Sequence, residues 1–232
     1  MSNTSIGPAL KGSKKQMQNI ASAKNHHYLN GLLGDTLKWI SPCEPDYREF
    51  QLNNPELCKR LGIPKGVFKD FWPSRQPQWD GIAMGEKTKT LYLFEAKSHI
   101  TEIKPRLTEG TEENNRMIEH SIMRMASDWF NITDSDEDVK NIWCQKYYQI
   151  SNRMAFCKKM QELSKVSNYY KKVVLVFLNF VNDESWSKEG KTVKTKEEWD
   201  NYYDETILES MKITRSQLEK QGIFIINFDL KK

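Results

Sequence analysis

The sequence predicts a single α/β domain with a central β-sheet flanked by helices. Strand-like apolar runs alternate along the chain with segments of helical periodicity. No internal repeat or long linker divides them, and 232 residues are enough for one full hydrophobic core. We therefore assign residues 16–232 to one domain, preceded by a flexible basic lead over residues 1–15.

Composition excludes several classes of protein. With 38% hydrophobic residues, 28% charged residues, 11 Gly and 8 Pro, the chain is neither collagen-like, low-complexity nor coiled coil. The longest apolar run, 173–178, is far shorter than the roughly 20 residues of a membrane span. The polar start of the chain does not resemble a signal peptide, so we expect a cytoplasmic protein without a membrane partner. The four cysteines lack the spacing of a zinc site.

The chain before residue 78 is predicted to be mostly helical. Apolar residues recur with helical spacing in the first segment, which Ser41-Pro42 ends. Asn54, Pro55 and Gly62 supply a cap, a first-turn proline and a terminal glycine for a second helix. The predicted elements are a helix over 16–39, a short strand over 46–50, a helix over 54–61 and a loop over 64–77.

A β-hairpin is the clearest element of the sequence. Two strand-like runs, 78–84 and 90–98, are joined by the polar, glycine-containing segment 85–89. The second run contains four consecutive apolar residues, as expected of a strand that is covered on both faces.

The remainder of the chain alternates helices with apolar strands. Thr195 and Glu198 have the spacing of a capping box and mark the start of one helix. The predicted helices are 112–130, 135–164, one that begins at 195, and 216–220, and the predicted strands are 172–182 and 222–230.

Three charged side chains stand out on the hairpin. Glu95 and Lys97 are two residues apart and so point to the same face of a strand. A turn centred on Lys87 and Thr88 sets Asp80 opposite Glu95 on that face. Two carboxylates beside an ammonium are unfavourable between apolar strands unless a cation neutralises them, and oxygen ligands suit Mg²⁺. A solvated, salt-bridged hairpin is the alternative.

These residues carry a family resemblance. Trp79-Asp80, followed after residues 81–94 by Glu95-Ala96-Lys97, resembles the signature of the PD-(D/E)xK nuclease superfamily. Trp79 stands where that signature has proline. Further similarity to a bacterial branch of the superfamily lies in segments 71–73, 95–100 and 176–180.

The resemblance implies a fold, an activity and a cofactor. The fold would be restriction-endonuclease-like, a central mixed β-sheet flanked by helices. The activity would be a Mg²⁺-dependent nuclease, a hydrolase of phosphodiester bonds in nucleic acid, with DNA as the favoured partner and Mn²⁺ able to replace Mg²⁺. A catalytically lapsed adaptor that binds nucleic acid or protein on the same fold is the alternative function. The assembly is left open, a homodimer included.

Site residues are carried over from the superfamily position by position. Asp80 and Glu95 would be metal ligands, with the Ala96 carbonyl as a third. Lys97 would be the catalytic lysine. Gln149 would be an accessory active-site residue on the helix that follows the hairpin.

Four further residues are candidates for the site. Asn152 and Arg153 share a helix face with Gln149, and Arg153 would contact phosphate or the scaffold; an ordinary polar helix face is equally compatible. Glu49 would supply the acid that the superfamily often takes from its first helix. His99 would bind phosphate or assist proton transfer, or simply form a hydrogen bond to a loop.

Two tryptophans beside the motif are candidates of a different kind. Trp72 and Trp79 flank the loop before the hairpin, where an aromatic ring would stack on a nucleotide base.

Overall fold

A five-stranded mixed β-sheet forms the centre of the molecule. The structure is a computed structural model that describes residues 7–22, 26–103, 105, 110–133 and 135–231. The strands lie in chain order, with β1–β2 and β2–β3 antiparallel and β3–β4 and β4–β5 parallel. Their bounds are β1 Leu37–Ser41, β2 Gly81–Gly85, β3 Thr90–Lys97, β4 Lys172–Val181 and β5 Ile223–Asp229.

Helices α1 (Gly12–Ala21) and α2 (His26–Leu33) cover one face of the sheet. Met17 on α1 packs against this face at Gly81, where a Cβ atom would lie 2.4 Å from the Met17 methyl group. Gly81 therefore lets α1 approach the sheet closely at the start of β2.

The other helices pack on the opposite face, around Ile82, Leu93 and Phe177. Tight 3₁₀ turns lie at Ile100–Glu102 and Glu184–Glu189, and π-helical segments at Ile142–Lys146 and Tyr202–Leu208. The helices are α3 Pro55–Leu61, α4 Glu112–Phe130, α5 Glu137–Asn141, α6 Tyr148–Ser164, α7 Lys196–Asn201, α8 Glu209–Met211 and α9 Arg215–Lys220. No helix in the described part of the chain is both long and apolar enough to cross a membrane.

Predicted helices with a clear capping residue in the sequence are confirmed. Asn54 caps α3 by accepting from the N–H groups of Glu56 and Leu57, and Gly62 ends the helix in a left-handed conformation. Thr195 forms its capping box with Glu198 at the start of α7.

Three predictions are wrong in detail. The helix predicted over 16–39 is two helices followed by β1, and Gly34, with a left-handed φ of 65°, ends the second helix before the strand. The predicted strand at 46–50 is reduced to one bridge between Phe50 and Trp79. The helix over 135–164 is interrupted by the π-helical segment before α6. Of the predicted flexible lead, residues 1–6 lie outside the described residues, and α1 begins within it at Gly12.

Candidate active site

The hairpin register brings Asp80 beside Glu95, as predicted. Gly81 pairs with Phe94 and Ile82 with Leu93, so one further step places Asp80 opposite Glu95. Strand β2 begins at Gly81, one residue after Asp80. The Asp80 carboxylate takes the place of a backbone acceptor here, since its Oδ2 accepts the N–H of Ala96 at 2.7 Å. Because the N–H and C=O of a strand residue point to the same edge, the Ala96 carbonyl lies on the edge of β3 that faces β2.

Glu95 and Lys97 form an ion pair at the carboxyl end of β3. The Lys97 ammonium donates to Oε1 of Glu95, and the two residues are only 8% and 3% exposed, respectively. Asp80 is partly exposed, so solvent reaches this cluster on the Asp80 side. The solvated-hairpin alternative is therefore wrong, because both charges of the pair are buried.

Arg153 binds the second oxygen of Glu95. Its Nε–H donates to Oε2, and a terminal nitrogen donates to the Gln78 carbonyl at 2.7 Å. The other terminal nitrogen donates to Oδ1 of Asn152 at 3.1 Å. Arg153 thus joins helix α6 to β3 and to the segment that precedes β2, and it contacts the scaffold, one of the two roles that the superfamily resemblance implied.

The charges of this cluster shift one another's pKa. Burial and the Glu95 carboxylate raise the pKa of Asp80 to about 7, and Glu49 adds to this, while Lys97 and the Ala96 N–H oppose it. Burial also acts to raise the pKa of Glu95, but Arg153 and Lys97 outweigh it and hold that pKa below its usual value. Burial acts to lower the pKa of Lys97, but the Glu95 and Asp80 carboxylates raise it above its ordinary value, so the lysine is an ammonium at neutral pH.

Glu49 lies on the far side of Asp80 from Glu95. The antiparallel bridge between Phe50 and Trp79 places the preceding Glu49 next to Asp80. Glu49 forms an ion pair with Lys14 of α1 at 3.2 Å. Glu49, the residue expected to supply the acid that the superfamily often takes from its first helix, lies in the loop after β1, and α1 contributes a lysine.

The cluster fits a divalent cation in its chemistry. The raised pKa of Asp80 reflects its burial first and then repulsion by the Glu95 and Glu49 carboxylates, and a bound cation would relieve this repulsion. Over the described ranges, no three His, Cys, Asp or Glu side chains are grouped to hold one ion. Mg²⁺ commonly takes only one or two protein carboxylates and completes its shell with water and phosphate oxygens. Asp80, Glu95 and the Ala96 carbonyl are the residues that would hold it.

His99 is engaged by neighbouring side chains. Its Nε2 lies 3.3 Å from Oε1 of Glu102, its Nδ1 lies 2.9 Å from the Thr101 hydroxyl, and its ring meets Trp186 edge-on at 4.4 Å. Strand β3 ends at Lys97, so His99 belongs to the turn that follows the site.

A groove of about 860 Å³ opens next to Arg153. None of its described lining residues is Asp or Glu, and Arg153 both lines it and binds Glu95. The predicted residues Gln149, Asn152 and Arg153 are brought together along this groove. The polar and aromatic side chains along the groove are Arg75, Gln76, Asn114, Asn115, Tyr148, Gln149, Asn152 and Arg153.

Sequence reasoning missed several of these residues. Arg75 and Gln76 lie in the predicted loop before the hairpin, and Asn114 lies in the first turn of α4. The only local signal was the run Pro73-Ser74-Arg75-Gln76-Pro77, in which two prolines stiffen a polar segment beside the motif.

Trp72 and Trp79 are not stacking platforms for a base. They are 3% and 0% exposed and belong to the core. The Trp79 ring instead lies 4.9 Å from the guanidinium carbon of Arg153, a cation–π contact that helps to position this side chain.

Comparisons with family models, with curated proteins and with solved structures give no match to this chain.

Proposed function

We propose that this protein is a Mg²⁺-dependent nuclease of the restriction-endonuclease-like fold that hydrolyses phosphodiester bonds of nucleic acid, with DNA as the favoured substrate. The observation that carries this proposal is the grouping of Asp80, Glu95 and Lys97 at the carboxyl end of β3. An acid, a second acid and an ammonium are the groups that metal-assisted phosphodiester hydrolysis requires. The mixed sheet with helices on both faces supports the fold.

Each residue has a role that follows from its surroundings. A bound Mg²⁺ supplies Lewis-acid polarisation of the scissile phosphate. Asp80 and Glu95 hold the cation, and Asp80 is the ligand that solvent reaches. Lys97 remains charged, which favours a role in stabilising negative charge on phosphate over a role as a base. Arg153 positions Glu95 without itself contacting the reacting atoms.

One observation favours the adaptor alternative. Each oxygen of Glu95 already receives a hydrogen bond from a cationic side chain, Lys97 on Oε1 and Arg153 on Oε2. A carboxylate that is neutralised in this way has less need of a metal ion. A protein that binds nucleic acid at this face without cutting it would retain the same contacts.

A nuclease assay separates the two functions. The protein is incubated with supercoiled plasmid, linear duplex and single-stranded DNA in Mg²⁺ or Mn²⁺, with EDTA as the metal-free control. We expect metal-dependent cleavage that falls at least about a hundredfold in Asp80→Asn. Asp70→Asn, which removes an exposed carboxylate from the preceding loop, is the matched control and should cleave like the wild type. Binding without cleavage of any substrate would replace the nuclease with the adaptor.

A further inference from the structure

A residue that lines the groove carries a buried hydrogen-bond donor with no acceptor in the described part of the chain. Gln76 is 4% exposed, and its Oε1 accepts the backbone N–H of Asn53 at 3.0 Å. Because a backbone N–H can only donate, this bond fixes the orientation of the amide. The buried Nε2 amino group of this groove-lining residue has no hydrogen-bond partner among the described residues. Among the described residues with a buried, unpaired polar side-chain atom, Gln76 is the one that lines this groove, and such a donor calls for an explanation, such as a ligand that accepts from it.

The walls of the groove suit a nucleotide. Tyr148 presents a ring held in place by stacking against Trp72, with centroids 6.5 Å apart and planes 24° apart. Arg75 is exposed at the rim. Asn114 and Tyr148, at the starts of α4 and α6, also line the groove. The volume of about 860 Å³ is within the range of ordinary ligand sites.

We propose that this groove binds an unpaired nucleotide of the substrate strand, which makes single-stranded nucleic acid the preferred ligand. The base would stack on Tyr148 and accept a hydrogen bond from Nε2 of Gln76, while Arg75 contacts the adjoining phosphate. A neutral acceptor suits the buried amide, because a charged phosphate loses more hydration on burial, whereas an exposed guanidinium suits the phosphate.

The preference for an unpaired strand follows from geometry. In a duplex both faces of each base are stacked on neighbouring bases, so no face is free to stack on Tyr148. An extruded or single-stranded base offers a face to an aromatic ring and an edge to a polar group. This inference rests on the proposed function for the class of ligand, and it adds which form of that ligand binds and where.

The test measures binding in the absence of metal, so that cleavage does not interfere. The probe is a fluorescein-labelled 12-nucleotide DNA strand, alone or as a duplex, titrated with protein in EDTA and followed by anisotropy. We expect the single strand to bind at least about tenfold more tightly than the duplex. Gln76→Glu keeps the acceptor for Asn53 but replaces the donor with a carboxylate, and should weaken single-strand binding about tenfold. Asn201→Asp adds the same charge at an exposed position of α7 and should not.

A second pair of variants tests the ring independently. Tyr148→Leu removes the stacking surface and should weaken single-strand binding about tenfold. Tyr148→Phe keeps an aromatic ring and should bind the single strand like the wild type. Duplex binding as tight as single-strand binding, or wild-type affinity in both Gln76→Glu and Tyr148→Leu, overturns the inference. If single-strand binding depends on these residues while no substrate is ever cut, the nuclease proposal fails and this one stands. If cleavage is metal-dependent but these variants bind the single strand like the wild type, the groove proposal fails and the nuclease proposal stands.

Discussion

Arg153 on α6 donates to Oε2 of Glu95 on β3 within the core, although the two residues lie 58 positions apart in the chain. Lys97 occupies the other carboxylate oxygen, so one buried anion is held between two cations. The same guanidinium reaches the Gln78 carbonyl and covers the Trp79 ring. The orientation of Glu95 therefore depends on a residue of α6, which lies outside the hairpin in the sequence.

Arg153→Met is expected to be strongly destabilising. It leaves Glu95 with one cationic partner in a buried position, a change that typically costs about 3–5 kcal/mol. Urea unfolding measures the free energy. Arg116→Met, which breaks the exposed pair with Glu112 on α4, is the control and should leave stability nearly unchanged. A loss below about 1 kcal/mol in Arg153→Met would show that the pair contributes little.

Gly81→Ala should destabilise the packing of α1 on the sheet. The added Cβ would lie 2.4 Å from the Met17 methyl group and 3.0 Å from the Trp39 ring, and overpacking of this kind costs about 1–3 kcal/mol. Met17→Ala makes room for the new methyl group, so the double variant should be more stable than the two single effects predict by at least about 0.5 kcal/mol. Strict additivity in urea unfolding would mean that α1 does not meet the sheet at Gly81.

The stability of the metal-free protein should fall as the pH rises. The pKa of Asp80 is about 7 in the folded state against an ordinary value of 3.8, so the native state holds a proton that the unfolded state has lost. Its stabilising effect is complete below about pH 4, is lost as the pH rises through 7, and does not change further above that. Because Asp80 is partly exposed, we expect about 1–2 kcal/mol.

Asp80→Asn removes this titration. Urea unfolding in EDTA at several pH values between 5 and 8 should show a smaller decline for the variant than for the wild type. Parallel curves for the two proteins would show that Asp80 does not carry the raised pKa.

Asp80→Ala should weaken binding of Mn²⁺. The carboxylate supplies both charge and an oxygen ligand, and the Ala96 carbonyl and Glu95 alone hold a hard cation poorly. Calorimetric titration with Mn²⁺ compares the variant with the wild type and with Asp70→Ala. Equal affinity in all three proteins would place the metal away from Asp80.

Features of the fold that depend on residues close together in the sequence could be predicted from it. The hairpin register that pairs Gly81 with Phe94 follows from a short turn and two apolar runs, and the cap at Asn54 follows from a helix-start signal. Strand β1 was missed because its apolar residues also fit the helical spacing of the preceding segment.

Part of the candidate site could be predicted because its residues are close together in the sequence. Asp80, Glu95 and Lys97 lie on one hairpin, so spacing alone places them together. The groove is built from the loop at Gln76 and from the starts of α4 and α6, and only tertiary packing brings these segments to one place. The contact of Arg153 with Glu95 is likewise set by how α6 packs on the sheet.

The rate of plasmid cleavage by Lys97→Met tests the central claim most directly. Methionine preserves the volume of the buried side chain and removes its charge, while Lys38→Met makes the same change at an exposed position on β1. With Mg²⁺ present, we predict that Lys97→Met loses about 10²–10³ in rate and that Lys38→Met cleaves like the wild type. Cleavage by Lys97→Met at the wild-type rate, with both variants folded, would contradict the assignment of the active site.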